Sequence, residues 1–317
     1  MTSIAGWMEE FSSSLRSNYI EVSAVMDDLF PVDIDSILKS GINGKLPLTA
    51  AKYYALAYQL LSTAYGFAVE KARGRINRNL RRFERRLQEF KRHALTDIVA
   101  KSSASNYDFS LIKRLYDDIA RGLSENGYRV FRVSFQTINR AMTGPPPLAF
   151  KVLFEAGTAI DPVYETPVIP GSSLKGMLRS YVKLSGEHCG IGTLEHDIDL
   201  LFGSTEGRGG IVIADARPVG IANDWGTLLE ADVTTPIYAD GTGSPRLEEH
   251  RARPVPVIYP VISRGVIFTT VIGFAGNIPD KCVKAVSKWV AQSLLVGFGG
   301  KTSSSYGVSR LTGFTEV

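Results

Sequence analysis

The sequence predicts an α+β fold, a sheet with helices on one face, joined to a helical N-terminal region. Three observations predict it. Apolar residues recur every three to four positions through most of the first 120 residues, the spacing of half-buried helices. After Gly127 the period falls to two, with Phe131, Val133 and Phe135 alternating with Arg132, Ser134 and Gln136. Helical spacing then returns at Ser172 to Leu184 and Lys281 to Val296, between strand-like runs. This change of character puts a boundary near residue 125. Residues 1–125 read as a helical, basic region and residues 126–317 as a mixed domain.

Taken in order, Gly41 and Gly44 punctuate the early chain, and Pro47-Leu48-Thr49 opens a long apolar-periodic run. Its uncharged part, Tyr53 to Val69, contains Gln59, Ser62 and Thr63. It is too short and too polar for a membrane span, so a buried helix is expected. Ile76, Leu80, Phe83, Leu87, Phe90, Ala94 and Ile98 make the stripe of a second helix. A Ser-rich break at Lys101 to Asn106 precedes a helix from about Ser110 to Leu123, which Ser124-Glu125-Asn126-Gly127 ends. Beyond the Phe131 strand, Gly144 and Pro145 to Pro147 form a loop, and Phe150, Val152 and Phe154 read as a second strand. Further strands are expected at Gly210 to Ala214, Val255 to Ile262 and Val266 to Phe274. The proline- and glycine-rich stretch of about residues 229–260, centred on Gly241-Thr242-Gly243-Ser244-Pro245, reads as a projecting hairpin or long loop.

Composition bounds the function. At 317 residues, with 44% hydrophobic and 21% charged residues, the chain can bury a core without staples. Cys189 and Cys282 are too few for a disulfide scaffold, and the N-terminus, with Glu9 and Glu10, has no signal-peptide character. A cytoplasmic location in a reducing cytosol is therefore expected. The net charge of +4 is unevenly placed. Lys71 to Arg92 holds ten basic residues against Glu84 and Glu89, a local excess of +8, whereas the rest of the chain is net acidic. A helix with this Arg73–Arg92 face suits a polyanion or an acidic protein surface, and equally describes a solvated face.

Two motifs can carry chemistry. In Val168-Ile169-Pro170-Gly171-Ser172-Ser173-Leu174-Lys175-Gly176, an extended segment ends in Pro-Gly, and two serines stand at a helix start. Free amides and the helix dipole attract phosphate there. Lys175, Arg179 and Lys183 follow at four-residue steps on one face, as a row of cations that can track a sugar–phosphate backbone. A well-capped helix with solvated lysines fits the same pattern. The second motif, Gly297-Phe298-Gly299-Gly300-Lys301-Thr302-Ser303-Ser304-Ser305-Tyr306-Gly307, has the composition of a phosphate-approaching loop, with Tyr306 available to stack on a base or pack on the sheet. Gly300-Lys301-Thr302 matches the end of an ATPase phosphate loop, but Leu295 stands where that motif needs glycine, and a helix precedes the loop instead of a strand. For metal or nucleophilic chemistry the sequence offers little. His188, Cys189 and His196 lie close together without metal-ligand spacing, and Asp215 and Asp232 read as turn or capping acids. His250 stands near Arg246, Arg251 and Arg253 in the projecting segment.

The two motifs, in this order, resemble the RAMP superfamily of CRISPR effector proteins, in which an IPGSSLKG-x-LR segment (here Ile169 to Arg179) precedes a C-terminal glycine-rich loop (here Gly297 to Gly307). Leu201-Phe202-Gly203, Ala214-Asp215-Ala216, Asp232 to Tyr238, Pro254 to Val257 and Gly300 to Ser304 look like the branch found in type III-B Cmr complexes. That branch usually has histidine where Ile237 stands and a tyrosine-rich stretch at Ala239 to Ser244. The resemblance covers about residues 128–317. It implies a ferredoxin-like (RRM-like) core that holds guide RNA along the glycine-rich loop and the first helix. The thumb-like insertion at about 229–260 would interrupt guide–target pairing. The RNA contacts it implies are Ser172, Ser173, Lys175, Arg179, Gly299, Gly300, Lys301, Thr302, Ser303, Ser304 and Tyr306. The expected protein is a non-catalytic backbone subunit near the 3′ end of the guide. Guide RNA, target RNA and other Cmr-type RAMP subunits are its partners, and no cofactor, metal or membrane is involved. The alternative is a metal-independent RAMP endoribonuclease that processes guide RNA, with His188, His196 or His250 as acid–base groups.

Overall fold

The computed structural model describes residues 45–235 and 256–317, with three isolated positions before them. The described chain forms two compact units. One runs to Ser102 and takes in Pro146–Gly157 with the described parts of Ala231–Pro260; the other comprises Ser103–Pro145, Thr158–Glu230 and Val261–Val317. The second unit begins at Ser103, and the helix before Gly127 packs on its sheet.

In the first unit, helices α1 (Pro47–Lys71) and α2 (Arg78–Lys101) pack against each other. Proline in its first turn suits the start of α1, since the missing amide is one the helix leaves unpaired anyway. The Asn77 side chain caps α2 by accepting from the Leu80 amide at 2.9 Å. The expected stripe of α2 is buried from Leu80 to Ile98, whereas Ile76 lies before the helix and is exposed. Tyr58 and Tyr65 stack on Phe90 and Phe83. The segment Phe150 to Phe154, expected as a strand, is the short helix α4 (Leu148–Leu153). Phe150, Leu153 and Phe154 are all buried, at helical spacing. Five residues of alternation fit both periods, and Pro147 at the N-cap decides between them.

In the second unit, α3 (Phe109–Glu125) leads into β1 (Tyr128–Thr137); α5 (Gly171–Ser185) and α6 (Leu194–Phe202) follow. Next come β2 (Ile211–Ile213), β3 (Arg217–Ile221), β6 (Val266–Ala275), α7 (Asp280–Val296) and β7 (Ser309–Glu316). The sheet is antiparallel, with the order β2–β6–β1–β7 and β3 also paired to β6. Alternation sorts the residues of β1. Phe131, Val133 and Phe135 join Leu174, Leu178 and Val182 of α5 and Val286, Trp289 and Val290 of α7 in the main core. Val130 turns to the other face and packs with Val271 against Ile112, Tyr116 and Ala120 of α3. Helices thus cover both faces, not one as expected, because α3 is amphipathic and Val130 and Val271 give its apolar stripe a partner. β4 (Leu229–Thr234) and β5 (Val257–Ile262) form a separate two-stranded pair. These are the ends of the expected projecting insertion; its middle, with Ile237, Arg246, His250, Arg251 and Arg253, lies outside the described residues.

The two cysteines, expected to be reduced, are joined. Cys189 and Cys282 form a disulfide across 93 residues that ties the α5–α6 connection to the first turn of α7. Their separation in sequence gave no pairing signal, since proximity depends on the packing of α5 and α7. Among the described residues, no helix is long and apolar enough to cross a membrane.

Candidate nucleic-acid interface

The site lies in the second unit, where the start of α5 and the glycine-rich loop after α7 approach each other. The chain entering α5 is stitched to the β2–β3 connection, Ile169 exchanging backbone hydrogen bonds with Ala216 at 2.9 and 2.8 Å. Gly171 is required there, because a Cβ atom would lie 2.2 Å from the Ile213 carbonyl oxygen. Its amide donates to Asp215 Oδ1 at 2.8 Å. Asp215 is thus a capping acid, and a protein carboxylate takes the place at this helix start that the sequence reserved for phosphate. The amides of Ser173 and Leu174 donate to the Pro170 carbonyl. The N-cap is Pro170, so neither serine hydroxyl caps the helix. Ser172 is exposed and Ser173 half-buried.

Lys175 does not project into solvent. Its Nζ donates to the Ile211 carbonyl at 2.9 Å, bracing α5 on β2. Burial, then the nearby Arg208 and Arg179 charges, lower this ammonium from its ordinary value. Arg179 is half-buried, with Nε shielded and without a partner, while Lys183 is exposed. Of the expected cation row, Lys175 is committed to β2, whereas Lys183 stays exposed.

The glycine-rich loop is pinned to the chain leaving β1. Gly300 donates to the Met142 carbonyl at 2.8 Å, and Gly307 donates to that of Arg140 at 2.7 Å. Gly299 has φ +80°, and a Cβ atom there would lie 2.2 Å from Met142 O. Its glycine serves close approach to the protein's own backbone. Lys301 and Ser305 also adopt left-handed conformations and bracket the turn Thr302–Ser304. The Lys301 ammonium lies 5.5 Å from the centroid of the Tyr306 ring. Thr302, Ser303 and Ser304 are exposed.

Between α5 and this loop runs an open groove of about 640 Å³. It brings together Ser173, Gly299 and Thr302 from the two motifs. Ser172, Lys175, Arg179, Gly300, Lys301, Ser303, Ser304 and Tyr306 are not among its walls. The floor adds residues not expected from the motifs: Met177, Tyr181 and Leu184 come from α5 and Val296 from the end of α7, beside Phe298 of the glycine-rich loop. Leu184 is 89% exposed and Val296 62% exposed. Both are large apolar side chains that the structure leaves uncovered. Hydroxyls along its walls, an aromatic ring and an apolar floor can hold a nucleotide by its ribose and base. No titratable acid or histidine is among the described lining.

Two of the three histidines of the alternative reading, His188 and His196, meet one buried carboxylate, while His250 lies outside the described residues. Asp197 is buried and accepts from the amides of Gly190, Ile191 and Gly192. His188 Nδ1 lies 3.1 Å and His196 Nδ1 3.3 Å from its carboxylate. Burial opposes the charge on Asp197, but the contacts with His188 and His196, and then the amides of Ile191 and Gly192, hold its pKa below the usual value. Asp232 accepts from the Val233 amide and the Tyr259 hydroxyl.

Among known proteins, residues 151–309 match the family model described as the RAMP superfamily. A curated relative from Saccharolobus solfataricus, the CRISPR system CMR subunit Cmr6, is 27% identical over 201 residues, or 63% of this chain. The match spans 64% of that relative's length. Among solved structures, a chain of the type III-B Cmr-beta complex bound to cognate target RNA aligns with TM-score 0.71 at 21% identity, covering 90% of this chain and 98% of that one. At this identity the likeness is one of fold. The crystal structure of Cmr6 from Pyrococcus furiosus aligns with TM-score 0.38 at 20% identity, over 59% of this chain and 99% of that one.

Proposed function

This chain belongs to the RAMP superfamily, and from that premise we propose that it is the sixth-subunit type of a type III-B Cmr ribonucleoprotein, a backbone protein that binds guide RNA and does not cut it. The strand order β2–β6–β1–β7, with α5 following β1 and α7 following β6 in sequence, is what a ferredoxin-like core predicts, and we read the second unit so. One observation carries the proposal. Two stretches more than a hundred residues apart, both inside the family match, line one groove of hydroxyl, aromatic and apolar groups. Such a groove suits ribose and base, while Lys301 and the exposed hydroxyls of Thr302, Ser303 and Ser304 border the phosphate path. Guide pairing, not the protein, would read the target. The partners in this reading are guide RNA, target RNA and other Cmr-type subunits, with the cytoplasm as their place of action.

Photo-crosslinking of the assembled complex tests the reading. Guide nucleotides are expected on peptides that contain Ser173 to Tyr181 and Gly299 to Tyr306. Crosslinks confined to other peptides would remove the groove assignment. Specific cleavage of repeat RNA by the purified chain in EDTA would replace the binding role with the endoribonuclease alternative.

A further inference from the structure

The first unit carries a concentration of charge that the groove does not use. We propose that the N-terminal half of α2 is a second, independent nucleic-acid surface, one that holds a phosphodiester backbone without reading bases. Arg78, Arg81, Arg82 and Arg85 are all exposed. At 100° per residue they fall within about 100° of arc, opposite the buried Leu80, Phe83, Leu87 and Phe90. With Asn77, Asn79 and Ile76 they line an open concavity of about 870 Å³.

Two independent observations make this more than a solvated face. The first is the direction of the helix. Cations belong at a helix C-terminus, where the dipole is negative, and carboxylates at the N-terminus. The first turn of α2 contains no acidic residue, and Arg78 and Arg81 stand there instead. Each works against the dipole, so folding stability does not account for them; a bound anion would relieve the conflict. The second is the absence of local neutralisation. Glu89 pairs with Arg86 and Glu155 with Lys91, but among the described residues no carboxylate forms an ion pair with Arg78, Arg81 or Arg85. Asn77 and Arg82 have further interactions of their own, so the proposal rests on these three arginines.

The chemistry favours phosphate over an acidic protein. A protein interface needs an apolar or aromatic centre that excludes water, and among the described residues of the lining Ile76 is the sole apolar side chain. Guanidinium groups match phosphate oxygens with paired donors. The surface does not depend on the groove reading, and its test is separable from it.

The test uses the full-length protein with Arg78→Gln, Arg81→Gln and Arg85→Gln combined. Binding of an unstructured 40-mer RNA, and of the DNA of the same sequence, is measured from 50 to 300 mM KCl. Three lost contacts should flatten the plot of log K against log salt by about 2 for a single strand, which is on the order of a hundredfold weaker binding near 0.1 M. RNA and DNA should be affected alike. A control triple, Lys113→Gln, Arg114→Gln and Lys284→Gln, removes the same charge from exposed positions of the second unit and should leave the slope unchanged. The arginine triple should melt no lower than the parent, since it removes charge that opposes the dipole. Combining it with Lys301→Ala should add the two slope changes. An unchanged slope, an equal loss in the control triple, or displacement of RNA by polyglutamate of matched charge would each overturn the proposal.

Discussion

Opening the Cys189–Cys282 crosslink should cost the second unit much of its stability. The bond closes a loop across 93 residues. In the chain-entropy treatment, a loop of that length lowers the entropy of the unfolded state enough to contribute about 4.7 kcal/mol at 25 °C. Set against a total of roughly 5–15 kcal/mol for a folded domain, this is a third of the stability or more. Cys282 is fully buried in the main core beside Val283 and Val286 of α7, while Cys189 is half-buried. The comparison is guanidinium unfolding of oxidised protein against protein unfolded and refolded in reductant, with Cys189→Ala/Cys282→Ala as a second reduced form. The reduced forms should lose most of those 4.7 kcal/mol, which corresponds to roughly 10–15 °C in melting temperature for a domain of this class. Coincident unfolding curves would refute the loop-closure reasoning. Two titratable thiols in protein unfolded without reductant would show that the bond is not formed in solution.

Other outcomes follow from the site. Lys175→Met should lower the melting temperature while leaving the salt slope of RNA binding unchanged, because its ammonium is committed to the Ile211 carbonyl; Lys301→Ala should do the reverse, reducing the slope by about 0.7. Gly171→Ala should cost about 1–3 kcal/mol in chemical denaturation, since its new methyl group meets the Ile213 carbonyl and the neighbouring backbone at Ala214. The depressed pKa of Asp197 sets a pH dependence. Its stabilising contribution is complete above the ordinary aspartate value near 4 and is lost as pH falls through the lower folded value. The stability gap between parent and Asp197→Asn, followed by denaturation from pH 2 to 6, should therefore be constant above about pH 5 and shrink below pH 4.

The elements that sequence periodicity located share one property: a single face, long enough to repeat. β1, α2, α3, α5, β6 and α7 each carry three or more apolar residues at one period, and each was placed within a few residues. Short segments were less uniform: β2 and β5 were located, but others were not. Phe150 to Phe154 fits two periods, and β3 is five residues interrupted by Pro218 and Gly220 at an irregular register. The same limit governed the site. The motifs marked where α5 and the glycine loop begin, because turn chemistry is local. What their residues touch is not local. Lys175 meets Ile211, and the Gly171 amide meets Asp215, through tertiary packing that a chemically plausible row of cations did not disclose. The floor of the groove escaped for the opposite reason. Leu184 and Val296 are large apolar side chains that are nonetheless uncovered.

The position of β1 has a consequence for how the molecule is made. This strand is laid down early, yet both of its neighbours come late: Val133 pairs with Thr270 on one side and with Phe314 on the other. A nascent chain must therefore carry Phe131, Val133 and Phe135 without their sheet partners until first β6 and then β7 have left the ribosome. Closing such distant pairings is slow and leaves an unpaired edge exposed meanwhile. A fragment trimmed to residues 151–309 would lack the central strand altogether and should not fold, so truncations guided by the family match alone would yield aggregates rather than a working domain.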